Sequence, residues 1–132
     1  HGVIVDGAVS AGVAVRGGRL EGTEVALRHG KPSALGYAGV GLSVEAGGAS
    51  LERSELSGNT RSGADVSGTD TELQLIDVAV QDTVQDPYET GGAGVMVFAD
   101  AEVELTFEGG DSLEGSFKAE HCDLTAIFDI VQ

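Results

Sequence analysis

The stretch GVGLSVEAGGASLERSELSGNTRSGADVSGTDTELQLIDVAVQD, residues 39–82, decides the fold because it contains one short pattern twice. Each copy begins with glycine and alternating apolar residues, passes through a turn of small residues, and ends with a leucine and a second apolar residue five positions later. A unit this short cannot bury its apolar face alone, so its repetition predicts stacked units that share one core. The closing residues of the two copies are Leu51 and Leu56, then Leu73 and Val78.

Further strands are predicted on both sides of this stretch. Residues 2–7 and 12–17 are β-branched runs bounded by glycine, which is typical of strands between tight turns. Residues 94–98 resume the pattern after the second copy. Residues 102–107 alternate strictly between an acid or hydroxyl and an apolar side chain, which predicts a strand with one buried and one solvated face.

The spacing of equivalent apolar positions predicts how the units align. Successive positions are 31, 22, 30 and 21 residues apart, so a short unit alternates with one that is about nine residues longer. The extra residues coincide with two interruptions, residues 28–38 and 81–93, which end in similar glycine-rich segments. We therefore expect two loops that leave the same corner of the stack, two units apart, about 10 Å from each other along its axis. The aligned positions are Leu20, Leu51, Leu73, Val103 and Leu124.

The units resemble coils of the right-handed parallel β-helix, the pectate-lyase-like superfold of many bacterial repeat proteins. The resemblance covers residues 12–107. It implies an all-β solenoid of about five coils in a single domain, residues 1–132, in which residues 109–132 form the final coil and a cap. A β-sandwich, with strands every eight to twelve residues, is the alternative fold. The segments that carry the resemblance are residues 56–60, 63–66 and 94–97.

Composition and charge narrow the classes of partner. Aromatic residues make up only 5% of the 132 residues, so the core must consist of aliphatic side chains. Residues 1–61 hold six acids and six bases, whereas residues 62–132 hold sixteen acids and only Lys118, which accounts for the net charge of −15. An acidic half of this kind repels phosphate backbones and anionic lipids, so we expect no nucleic-acid binding. No apolar run is long enough for a membrane helix, and we expect no membrane insertion.

The ends of the chain and its single cysteine bear on its setting. Cys122 is alone, which excludes an intramolecular disulfide. The chain begins at His1 without an initiator methionine, so we expect a processed product or an excised segment, with no targeting segment in this chain. The resemblance implies a secreted or cell-surface protein. An uncovered first coil predicts end-to-end association between copies of the chain.

The two loops hold the candidate ligand-binding residues. Tyr37 lies in the first loop and Tyr88 in the second, where Asp86 and Glu89 flank it. An aromatic ring between carboxylates can stack on a sugar while the acids accept hydrogen bonds from its hydroxyl groups, so these four residues predict a carbohydrate site. Asp82, Asp86 and Glu89 also form a candidate Ca²⁺ site, because Ca²⁺ binds several carboxylate and carbonyl oxygens.

No nucleophile with a base and an orienting acid is evident in the sequence, and the leading functional hypothesis is a non-catalytic scaffold or a carbohydrate- or ligand-binding surface, for a polysaccharide or protein partner. The alternative is a polysaccharide hydrolase or lyase similar to the pectin-degrading β-helices. A hydrolase would pair acids from adjacent units, and the candidates are Asp65, Asp77 and Asp82. A lyase that acts on a polyuronate needs cations, which the acidic half lacks.

Overall fold

The computed structural model describes residues 2–36, 38–85, 87, 92–98, 101–106, 115–118 and 123–124. Every regular element among these residues is a β-strand, which confirms the all-β class. The strands are β1 (Val3–Asp6), β2 (Ala11–Thr23), β3 (Val25–Arg28), β4 (Val40–Glu52), β5 (Glu55–Ser57), β6 (Ser62–Ser67), β7 (Glu72–Ile76), β8 (Ala79–Gln81), β9 (Ala93–Phe98), β10 (Glu102–Thr106), β11 (Gly115–Lys118) and β12 (Asp123–Leu124).

The strands form two sheets. The first has the order β1-β3-β5-β8, and all its pairs are parallel. The second has the order β11-β10-β7-β4-β6-β9-β12, and β2 pairs along the length of β4. The two halves of β4 have different neighbours, because its beginning pairs with β6 and its end pairs with β7. The second sheet therefore contains two parallel ladders, and the described part of the chain contains three.

The chain visits the three ladders in a fixed cyclic order. The first ladder aligns residues 11–16, 40–45, 62–67 and 93–98; the second aligns residues 18–23, 47–52, 72–76 and 102–106; and the third consists of β1, β3, β5 and β8. Each passage runs from the third ladder to the first and then to the second, and we call one such passage a turn. All strand pairs within β1–β10 are parallel, so the antiparallel hairpins of a β-sandwich are absent from this part of the described chain.

Aliphatic side chains from all three ladders form one buried cluster. Leu42, Leu51 and Leu56 are each at most 1% exposed, although they belong to different ladders. The outermost turn is less covered, since Val3 and Ile4 on β1 are 47% and 67% exposed. The two central turns therefore supply most of the core.

A column of glycines runs through the first ladder, where neighbouring strands leave little space beside the backbone. Gly12, Gly41, Gly63 and Gly94 occupy equivalent positions on successive strands of the first ladder. A Cβ atom at Gly41 would lie 2.6 Å from the carbonyl oxygen of Gly63. At Gly63 it would lie 2.6 Å from Val80 Cγ1 and 2.8 Å from the carbonyl oxygen of Gly94. These positions have no room for a side chain.

The predicted alignment is correct at three positions and wrong at Leu51. Leu73 pairs with Ala49 rather than with Leu51, and Leu51 pairs with Leu75. The prediction was shifted by two residues in this turn, and a shift of two keeps every side chain on the same face of the strand. The column that the structure shows is Leu20, Ala49, Leu73 and Val103.

The predicted position of Leu124 is also wrong. Leu124 pairs with Val97 in an antiparallel bridge between β12 and β9, so it does not continue the Val103 column. Strand β11 pairs with β10 in the antiparallel direction as well. The described part of the tail thus pairs in the antiparallel direction with the last strands of the second and first ladders. It does not add another parallel turn.

The predicted loop positions are confirmed. Between the third and first ladders, successive connections contain four, eleven, four and eleven residues, namely residues 7–10, 29–39, 58–61 and 82–92. We call this the loop corner. Between the second and third ladders the connections contain only one or two residues, namely 24, 53–54 and 77–78, and we call this the short corner. Both long loops leave the loop corner, two turns apart.

Candidate functional site

A buried asparagine holds the loop corner together. Asn59 is 1% exposed. Its Oδ1 accepts a hydrogen bond from the Gly30 backbone N–H at 3.0 Å, and its Nδ2 donates to the Leu27 carbonyl oxygen at 2.9 Å. Both partners belong to the neighbouring turn, at the start of the first long loop. Asn59 thereby fixes its own short connection, residues 58–61, which lies between the two long connections.

This arrangement leaves a groove between the bases of the two long loops. His29 begins the first loop, Asp82 begins the second, and Gly58 occupies the equivalent position between them. All three have left-handed backbone φ angles, of 51°, 55° and 61° respectively. A Cβ atom at Gly58 would lie 2.7 Å from His29 Cδ2. Gly58 therefore forms the floor of the groove, and its lack of a side chain leaves the space above it open. The groove has a volume of about 310 Å³, and its remaining lining residues are Arg28, Glu55, Ser57 and Gln81.

An ion pair fixes one wall of the groove. Arg28 Nη2 donates to Glu55 Oε2 at 2.6 Å, and the two side chains are 38% and 30% exposed. Hydrogen bonds from Ser57 and from Arg28 lower the pKa of Glu55 below its usual value, so this carboxylate stays ionised at neutral pH. The Arg28 Nε atom is buried and has no hydrogen-bond partner within the described chain.

The other wall carries polar groups that are available to a ligand. His29 Nδ1 lies 3.1 Å from Asp6 Oδ1, which leaves Nε2 of the ring for other contacts. The Gln81 side chain is half-buried and that of Asp82 is exposed, and both line the groove. Together these side chains present hydrogen-bond donors and acceptors around one opening. A hydroxyl-rich ligand requires this combination.

The predicted ligand-binding residues relate to this groove in part. Asp82 lies in its wall, at the base of the second loop. Tyr37, Tyr88, Asp86 and Glu89 lie outside the described residues. The carbohydrate site built on the two tyrosines stays a prediction, and so does the Ca²⁺ site at Asp82, Asp86 and Glu89. Across the described residues, no group of three or more His, Cys, Asp or Glu side chains is arranged to hold a metal ion.

The three acids predicted for catalysis lie at different places around the path of the chain. Asp65 belongs to the first ladder, Asp77 to the short corner and Asp82 to the loop corner. In the adjacent turns, Asp65 aligns with Ser43 and Met96, so no second carboxylate stands directly beside it. The pairing of acids from adjacent turns that the hydrolase hypothesis requires is not formed by these three residues.

Asp65 is nevertheless the most unusual acid among the described residues. Its side chain is only 19% exposed, and burial raises the pKa of its carboxyl group despite a hydrogen bond from Ser62 Oγ and the nearby Arg61. Arg61 Nε lies 3.9 Å from Asp65 Oδ2. The carboxyl group is thus partly desolvated, and it keeps its proton to a higher pH than an ordinary surface aspartate does.

Sequence reasoning missed most of the groove. These lining residues come from three units, Arg28 and His29 from one, Glu55 from the next and Gln81 from the third, and only the correct alignment places them together. The usable signal was the length of the connections, since a short connection between two long ones must leave a gap.

Comparisons with known proteins identify no relative of this chain. The chain matches no protein-family model. No curated protein and no solved structure gives a significant match. None of the described segments forms a helix long and apolar enough to cross a membrane. Function must therefore be inferred from the geometry of the chain itself.

Proposed function

We propose that this chain is a module of a right-handed parallel β-helix whose loop corner binds carbohydrate, in a bacterial protein that is secreted or displayed on the cell surface. Three parallel ladders visited in a constant cyclic order support the helical path. Connections between parallel strands of one sheet are nearly always right-handed, which supports the handedness. The module acts as a rigid scaffold, and catalysis is not part of this proposal.

The groove over Gly58 is the observation that carries the binding function. It combines a fixed ion pair, Arg28–Glu55, with side chains that have further hydrogen-bonding capacity, Gln81 and Asp82. The fixed pair costs a ligand no ordering of those two side chains on binding. Oligosaccharides bind through such arrays, in which each hydroxyl group both donates and accepts a hydrogen bond.

A thermal-shift screen against soluble oligosaccharides, followed by calorimetry, tests the proposal. A ligand that binds only the native state at a hundred times its Kd stabilises the protein by about 2.7 kcal/mol, which raises the melting temperature measurably. Gln81→Ala should weaken the binding of any hit about fivefold, because one hydrogen bond to the ligand is lost. Asp70→Asn, in an exposed turn away from the loop corner, is the control. Equal binding by wild type and Gln81→Ala, or no hit at all, would refute the proposal.

A polysaccharide-degrading enzyme is the second candidate, and Asp65 is the observation that favours it. A general acid needs a carboxyl group that holds its proton at working pH, and burial raises the pKa of Asp65. Release of reducing ends from a polysaccharide by the wild type, with loss of that release in Asp65→Asn, would establish this function. Release that persists in Asp65→Asn would exclude Asp65 as the acid.

End-to-end association is the third part of the proposal. Strand β1 pairs only with β3, and β2 pairs only with β4, so the first turn presents an unpaired parallel edge within the described chain. Val3, Ile4 and Val9 on this turn are 47%, 67% and 61% exposed. Sedimentation velocity over a wide concentration range should show a dimer or larger species. A monomer at every concentration would remove this part.

A further inference from the structure

The groove over Gly58 carries a negative charge that the protein does not balance. Arg28 is paired with Glu55 at 2.6 Å, so these two opposite charges offset each other. Asp82 lines the same groove and forms no ion pair within the described chain. With His29 neutral, the lining residues sum to a formal charge of −1.

The remainder of the chain strengthens this preference for a cation. Residues 62–132 contribute sixteen acids against Lys118 alone. A field of this sign raises the local concentration of cations and lowers that of anions, particularly at low ionic strength. The groove therefore disfavours uronic acids, although its hydrogen-bonding groups suit a sugar ring.

We propose that the groove selects amino sugars, meaning hydroxyl-rich rings that carry a free primary ammonium group; this inference rests on the proposed carbohydrate-binding function. Asp82 pairs with the ammonium group. Gln81 and His29 bind the ring hydroxyl groups. The chemistry requires both parts, because a simple cation lacks the hydroxyl groups and a neutral sugar lacks the charge.

The test compares four probes by isothermal titration calorimetry on the whole chain. The probes are glucosamine oligomers, N-acetylglucosamine oligomers of the same length, galacturonic acid oligomers and oligolysine, in one buffer in which the free amine is protonated. Glucosamine oligomers should bind about tenfold more tightly than the N-acetylated ones, because acetylation removes one charge-assisted hydrogen bond. The binding of glucosamine oligomers should also weaken as salt is added, while that of the N-acetylated oligomers should not.

Two variants of equal charge locate the effect. Asp82→Asn should abolish the preference for the free amine, so that glucosamine and N-acetylglucosamine oligomers bind this variant with similar affinity. Asp70→Asn removes the same charge from an exposed turn between the first and second ladders and should keep the preference. A preference that survives in Asp82→Asn, or that is lost equally in both variants, would overturn the assignment to the groove.

The outcomes also separate this inference from the function on which it rests. Equal binding of glucosamine and N-acetylglucosamine oligomers, with loss of both in Gln81→Ala, would refute selection for amino sugars and keep a carbohydrate site. Binding of oligolysine as tight as that of glucosamine oligomers would refute the amino-sugar assignment in favour of a basic protein partner. Absence of binding to every probe would contradict both.

Discussion

At the short corner and at the loop corner the chain passes from one ladder to the next, but only the loop corner has connections of very different lengths. At each of them the chain turns through a residue in the left-handed region, Arg53 at the short corner and Gly58 at the loop corner. The N–H groups of these residues donate to the next turn, to Ile76 O at 2.9 Å and to Gln81 O at 3.0 Å. The backbone pairing of the ladders therefore continues into both corners. It does not depend on the length of the loop that follows. Binding chemistry can reside at the loop corner without weakening the stack.

The two corners also differ in the polar side chain that locks them. Ser54 at the short corner accepts a hydrogen bond from the Val25 N–H at 3.0 Å and donates to the Glu52 carbonyl oxygen at 2.8 Å. Asn59 at the loop corner binds two backbone groups of the neighbouring turn. The amide of Asn59 makes two hydrogen bonds to the neighbouring turn, whereas the hydroxyl group of Ser54 makes one. The corner that carries the loops thus has the stronger lock.

The largest effect should come from the strand that joins the two corners. Leu56 on β5 is fully buried, and it aligns with Leu27 and Val80 in the neighbouring turns. Leu56→Ala should lower the free energy of unfolding by about 3 kcal/mol, because it removes apolar contact and leaves a cavity. Urea denaturation measures this loss. Ile4→Ala, at a residue that is 67% exposed, should change stability by less than about 0.5 kcal/mol. Similar losses in both variants would contradict a core centred on the middle turns.

Replacement of Asn59 or Ser54 by alanine shows which polar side chain contributes more to the free energy of unfolding. Asn59→Ala should lower the free energy of unfolding by about 2 kcal/mol, because the buried N–H of Gly30 and carbonyl of Leu27 lose their partner. Ser54→Ala should cost about 1 kcal/mol, because only one group of the neighbouring turn is left unpaired. Chemical denaturation of both variants in one buffer gives the ranking. A larger loss for Ser54→Ala would reverse the comparison.

Left-handed backbone positions should respond in opposite directions to exchange of glycine and alanine. Gly58→Ala should destabilise the protein by about 1 kcal/mol, since it places a side chain at φ 61° and against His29. Ala46→Gly, at an exposed position with φ 54° between the two halves of β4, should stabilise it by up to about 1 kcal/mol, because the strain of a Cβ atom in that region is removed. Melting temperatures of the two variants test both signs. A change of the same sign in both would show that backbone conformation is not the determining factor.

The smallest effect is a pH dependence that distinguishes Glu55 from Asp65. The pKa of Glu55 is lowered by hydrogen bonds from Ser57 and Arg28, so its stabilising contribution is present above its usual pKa of 4.5 and is lost as pH falls through the native value. Glu55→Gln should therefore be less stable than wild type at neutral pH, by about 0.5 kcal/mol, and the difference should shrink in acid. Stability curves against pH measure it.

Asp65 should show the opposite sign and serves as the matched comparison. Burial raises its pKa, so the ionised carboxylate destabilises the native state above that pKa, and acidification relieves the effect. Asp65→Asn should gain relative to wild type as pH rises from acid to neutral. Parallel pH profiles for Glu55→Gln and Asp65→Asn would contradict the opposite environments that the structure gives them.

The repeat, the strands and the position of the two loops could be predicted from the sequence, because apolar spacing and glycine-bounded runs report directly on them. The alignment of Leu51 could not. An alternating pattern is unchanged by a shift of two residues, and leucine opposite leucine is a more attractive guess than the Ala49–Leu73 pair that forms. Corner residues such as Arg53 gave no warning either, because an arginine at φ 46° is uncommon and only its place after the strand requires it.

Little of the groove could be predicted from the sequence, for a related reason. Loop length and the acid at Asp82 are visible in the sequence. The groove itself depends on which residues of three turns lie side by side, and Gly58 contributes to it only by lacking a side chain. A pattern of apolar residues contains no information about polar neighbours on the outer face.

An alternating apolar pattern is satisfied equally well when one turn is shifted by two residues relative to the next. The glycine column explains why such a shift does not occur. A slipped turn would still bury its leucines, so solvent exclusion alone would not reject it. A shift of two residues would, however, bring the side chain of Ser43 to the position of Gly41, or that of Asp65 to the position of Gly63, where a Cβ atom would lie within 2.8 Å of a backbone oxygen. Steric clash, and not the burial of apolar surface, thereby distinguishes the native alignment from the one shifted by two residues. The glycine column is the part of the molecule that provides this selection.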